Sequence, residues 1–164
     1  MRLWLSTFAP LAILFWDSPD RTAPQSSQGS LRGAWKVIAM SLTGSDRTTT
    51  NNSPQPAVVL FTDKHYSVMY VEGDQPRKPF ADPLRPTDAE KLEAYNTFVG
   101  HSGTYTVSDS IIAMQAVISK SPNLTSSEPG RTFLRFAHQF SGDTLRLTRH
   151  SPRGAFTMIL LRAE

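Results

Sequence analysis

The sequence predicts an all-β domain, an up-and-down antiparallel β-barrel of about eight strands with one short helix between the third and fourth. Three observations carry that prediction. Apolar and β-branched runs recur along the chain, parted by short stretches of turn residues. A Gly33-Ala34-Trp35 opening is answered near the end of the chain by Arg162, and one segment repeats its apolar residues at helical spacing. A glycine lets backbone approach where a side chain would not fit, and an indole can then stopper a small barrel. A guanidinium stacked over that indole adds about 0.5–2 kcal/mol beyond area burial. The plainer alternative makes Trp35 an ordinary core aromatic and Arg162 a solvated terminal charge.

Residues 1–31 read as an export signal with a disordered lead-in, and 32–164 as the barrel domain. Met1-Arg2 gives a positive start, and residues 3–16 are uncharged and mostly apolar, too short to span a bilayer comfortably. Residues 18–31 are rich in Pro, Ser and Gln. No A-x-A cleavage site follows, since Ala23 precedes Pro24, so an uncleaved anchor is the alternative to a periplasmic or secreted protein. The body has no apolar run of membrane length, so no stable span is expected once the signal is removed.

A chain of 164 residues, 39% hydrophobic and 19% charged, suits one domain with a real core. Its net charge of +3 is too mild, and its basic residues too scattered, for nucleic acid. Arg131, Arg135, Arg146, Arg149, Arg153 and Arg162 concentrate positive charge in the last third, but they alternate with apolar positions. That is the usual wet side of a sheet, and only occasionally an anion site. The absence of cysteine excludes disulfides, thiolate metal sites and a thiol nucleophile, so an exported domain must be held by its core.

The strand candidates, in order, are 34–42, 57–62, 66–71, 103–107, 111–119, 131–140, 144–149 and 155–161. Asp63-Lys64, Ser108-Asp109, Ser141-Gly142-Asp143 and Pro152-Arg153-Gly154 are hairpin connections, which force neighbouring strands to be antiparallel. The helix begins at a capping box, Thr87-Asp88-Ala89-Glu90. Ala89, Leu92, Tyr95 or Asn96, and Val99 follow at helical spacing, and Gly100 is placed to end the helix. An apolar stripe of this kind needs cover, and the barrel opening or flank is the natural place for it.

The order of Gly33-Ala34-Trp35-Lys36-Val37, Leu60-Phe61-Thr62-Asp63 into Tyr66-Ser67-Val68-Met69, a capped helix, Ser102-Gly103-Thr104-Tyr105-Thr106-Val107, Leu145-Arg146-Leu147-Thr148 and a late Arg162 resembles the bacterial and fungal lipocalin-like domain family. The resemblance runs from about Gly33 to the end of the chain. It implies a calycin-type barrel with a pocket, and a fold more securely than a reaction. Two positions depart from the family pattern. Lys64-His65 stands where the family turns through glycine, and Gln115 stands about where a histidine is often found, which weakens any histidine chemistry there.

A ligand site is sought among residues able to line the interior. Tyr66, Val68 and Tyr70 share one face of the third predicted strand, and Ser67, Met69 and Val71 the other; both are apolar enough to leave the inside open. Gly103, Tyr105 and Val107 share a face of the fourth. On the sixth, Thr132, Leu134, Phe136, His138 and Phe140 make the inner face. The candidates for binding a small, mainly apolar molecule are therefore Met69, Tyr70, Tyr105, Gln115, Leu134, Phe136 and His138. Side chains that simply fill the barrel are the even alternative. No metal or cofactor is implied, because His65, His101, His138 and His150 lack ligand spacing and no phosphate loop or nucleophile elbow is present. An inward His138 beside Tyr105 would suit an isomerase or cyclase working by acid–base chemistry. Protein binding through the loops 43–56 and 120–130 is a third reading, though neither loop holds an aromatic anchor.

Overall fold

The computed structural model describes residues 30–125 and 134–164. The predicted export signal, most of the lead-in, and Arg131 and Thr132 of the sixth predicted strand lie outside them. The elements are β1 (Gly33–Thr43), β2 (Thr48–Asn51), β3 (Ala57–Phe61), β4 (His65–Val71), α1 (Asp88–Asn96), β5 (Phe98–Val107), β6 (Ile111–Ser119), a 3-10 turn (Pro122–Leu124), β7 (Leu134–Ser141), β8 (Thr144–Ser151) and β9 (Gly154–Arg162).

Each strand from β3 to β9 pairs antiparallel with the next, and β9 returns to β1, closing an eight-stranded up-and-down barrel. The ninth strand, β2, is an addition. It pairs with the far half of β1, Met40 to Thr43, while β3 takes the near half, Gly33 to Lys36. Because β2 precedes β3, the helix lies after the fourth strand and not between the third and fourth as the sequence predicted. The missed strand is a polar threonine run, whose backbone is ordered by the exposed edge of β1 and not by an apolar face of its own.

The helix itself departs from expectation at its C-terminal end. The capping box is present, but the helix stops at Asn96, and Thr97 donates its backbone N–H and its hydroxyl to Glu93 O. Phe98, Val99 and Gly100 instead pair with Val71, Tyr70 and Met69. A ladder shared with a neighbouring strand outcompetes one more helical turn made of aromatic and β-branched residues. Nor does the helix bury its stripe: Leu92 is 60% and Tyr95 49% exposed. Polar contacts hold it in place: Arg77, in the connection before the helix, donates to Ala94 O, and Lys120, just past β6, donates to Tyr95 O.

The core fills the barrel. Trp35, Ile112, Met114, Leu145, Leu147, Leu160 and Val59 are its largest fully buried side chains. Leu31 is buried in the same cluster. Two register shifts change which residues point inward. One falls between Val37 and Ala39, so that Trp35 and Val37 and then Met40 and Leu42 pair with the same-facing residues of β9. The other leaves Val117 unpaired opposite the Ser102-Gly103 step. There a Cβ on Gly103 would lie 2.0 Å from Gln115 O, so glycine lets the two backbones close.

Candidate functional site

The two ends of the barrel differ because the chain crosses them differently. One end carries the tight turns after β3, β5 and β7 together with the start of β1 and the end of β9; the other carries the long connections.

At the first end Trp35 stands opposite Arg162, its indole fully buried and its Nε1 donating to Leu31 O at 2.8 Å. The Arg162 guanidinium carbon is 4.2 Å from the ring centroid. Its Nη1 donates to Arg32 O at 2.9 Å and its Nη2 to Ser30 O. Gly33, at φ +132°, lets the chain pass beneath, since a Cβ there would meet Glu164 O at 2.5 Å. Phe140 packs beside the indole at 6.2 Å between centroids. This end is stoppered.

His138 and Tyr105 also belong to the stoppered end, and they do not form an acid–base pair. The Tyr105 hydroxyl donates to Thr62 O at 2.6 Å, and His138 Nε2 lies 3.1 Å from Ser108 O. Each is pinned to the main chain of a different turn. A carbonyl can only accept, so Nε2 is the donor of that contact, and Nδ1 is buried without a hydrogen-bond partner among the described residues.

The other proposed ligand residues fall in three places. Leu134 and Phe136 are buried in the core and occupy the interior with their own side chains. Met69, 40% exposed, and Gln115, which alternates with buried Met114 and Ala116, face outward and cannot line the interior. The reason lies across the ladder: Tyr66 and Val68 are the buried face of β4, a choice that its own composition leaves open. Of the seven candidates, Tyr70 alone reaches the open end.

There, a groove of about 780 Å³ is lined by Met40, Tyr70, Phe156 and the exposed Leu42 and rimmed by 49–54 and 71–74. A second hollow of about 710 Å³, lined by Arg149 and residues 151–155, shares Leu42 and Phe156 with it. Burial pushes the Tyr70 hydroxyl up to about 12, with Glu72 adding to the shift and Arg149 opposing it.

Sequence reasoning missed His101. Its Nδ1 lies 3.1 Å from the Tyr66 hydroxyl inside the barrel, and the rings meet edge to face at 5.4 Å. Burial, helped by the positive charge of Arg149, pulls His101 down to about 4, and burial pushes Tyr66 up to about 12. Both are neutral at physiological pH. The signal was present: Gly103 and Tyr105 share a face, and alternation carried two residues back reaches His101, had the helix not been run through to Gly100.

Among the described residues no three His, Asp or Glu side chains gather as a metal site, and no helix is long and apolar enough to cross a membrane. No family model matches the chain, and no curated protein does. Among solved structures it is similar to a redesigned beta barrel, with 14% identity, 82% of this chain and 92% of that chain covered, and a TM-score of 0.39. That designed protein names no family.

Proposed function

We propose that this protein is an exported, lipocalin-like carrier that holds one small, mainly apolar molecule at the open end of its barrel. The single observation behind this reading is the asymmetry of the two ends: Trp35 under Arg162 stoppers one, and an apolar groove of Met40, Leu42, Tyr70 and Phe156 opens at the other. A largely apolar pocket with a few polar groups is the usual form of a small-molecule site. Because side chains pack the interior below the groove, the ligand sits at the mouth and not deep in the barrel. Export is supported by the uncharged 3–16 run behind Arg2, and the lipocalin-like assignment by the ordered motifs from Gly33 to Arg162.

An enzyme is the second reading, and the residues that favour it are His101 and Tyr66 in place of His138 and Tyr105. Effective acid–base groups titrate near the working pH, whereas these two are moved away from it in opposite directions, to about 4 and about 12. The pair suits holding a hydrogen bond better than moving a proton.

Native mass spectrometry of protein purified from its source tests the carrier reading. The expected result is a co-purifying small molecule that is lost in Phe156→Gln while the circular dichroism spectrum is unchanged. Ligand-free protein, or a ligand retained equally by the variant, would count against a site at this mouth.

A further inference from the structure

Resting on the carrier reading, we infer that the molecule held at the mouth is an anionic amphiphile, whose single carboxylate is gripped by Arg149 while its apolar tail lies along Met40, Leu42, Tyr70 and Phe156. On β8, Leu145 and Leu147 are buried in the core, and strand alternation puts Arg149 in phase with them, one step beyond and exposed at the mouth. Across the ladder it pairs with Phe156, and it lines the hollow that shares Leu42 and Phe156 with the apolar groove. The cation therefore stands where groove and hollow join.

Among the described residues the Arg149 side chain has no ion pair and no hydrogen bond. The contrast with Arg162 is informative, since that guanidinium is fully used by the indole and two carbonyls. Five N–H donors in a planar fork, unspent beside an apolar groove, match the two oxygens of a carboxylate. The positive field of Arg149 also reaches inward, where both His101 and Tyr70 feel it. Arg153 lines the same hollow as Arg149, so positive charge gathers on that side, while Glu72 and Asp74 border the groove on the other, which places the carboxylate at the hollow and keeps it away from the acids.

The test is isothermal titration calorimetry on the full chain with three probes of equal tail length: dodecanoate, dodecanol and dodecyltrimethylammonium. Dodecanoate is expected to bind about tenfold more tightly than dodecanol, and the ammonium more weakly than either. In Arg149→Gln the advantage of dodecanoate over dodecanol disappears while dodecanol binding is unchanged. Equal affinity for dodecanoate and dodecanol in the natural protein, tighter binding of the ammonium, or equal weakening of both probes by Arg149→Gln would each overturn the assignment of a carboxylate to Arg149. Failure of all three probes to bind would overturn the carrier reading beneath it.

Discussion

His101 is an ionisable side chain kept neutral inside the barrel, and its consequence is a dependence of stability on acid. Folded, it titrates at about 4; its ordinary value is 6.5. Between those values the unfolded chain binds a proton that the folded one refuses, so stability falls as the pH drops from 6.5 and the loss is complete near 4. The full loss is about 3 kcal/mol. Urea unfolding followed from neutral pH down to about 4 is expected to show that slope in the natural protein and a flatter one in His101→Gln. Parallel slopes in the two proteins would contradict a neutral buried imidazole. Glu90, below about 4.5, and Asp82, below about 3.8, add a loss of the same sign, because hydrogen bonds hold both carboxylates beneath their ordinary values.

The helix α1 shows how an element without a buried face is kept in place. Glu90 Oε2 accepts from the Thr87 N–H at 2.7 Å and from its hydroxyl at 2.8 Å, while Oε1 accepts from the Ala81 N–H at 2.9 Å. One carboxylate thus ties the first turn of the helix to the chain before it. Glu90→Ala is expected to speed amide exchange through residues 79–97 while leaving the strands protected, and hydrogen exchange read by mass spectrometry checks it. Unchanged exchange in that segment would mean that other contacts hold the helix. At this scale the sequence was most readable where structure is local. The capping box and the turns at Gly142-Asp143 and Pro152-Arg153 stand at the predicted residues. The end of the helix and the existence of β2 were not readable, because each is decided by the edge of a strand distant in sequence.

At the scale of the molecule the fold depends on a seam between the first and last strands. The register from Trp35 opposite Arg162 to Thr43 opposite Ala155 turns a sheet into a barrel and leaves neither β1 nor β9 as a bare edge. Arg162 fixes the start of that seam through its stacking and its carbonyl contacts 130 and 132 residues away in sequence. Arg162→Ala is expected to lower stability by about 2 kcal/mol in urea unfolding, and Arg162→Lys, which keeps the charge but not the planar fork, to recover only part of it. A loss within experimental error for both variants would make the stopper an ornament of the closed end.

The sequence by itself determined the all-β class, the antiparallel order of the main strands and the helix start, because turn chemistry, capping and alternation act over a few residues; it also offered Gly33, Trp35 and Arg162 for the stopper, which the seam between the first and last strands brings together. The inner face of β7, with Leu134, Phe136 and Phe140, was legible in its own sequence, but tertiary structure decided which faces of β1, β4 and β6 look inward. The register shifts near Ile38 and at Val117 change the phase of β1 and β6, and β4 is apolar on both faces, so that Met69 turned out and Tyr70 in. Cross-strand register likewise separated His138 from Tyr105, brought His101 to Tyr66, and left Arg149 at the open mouth. A strand carries its period of two in its own sequence, but the phase of that period is set by the strand it pairs with.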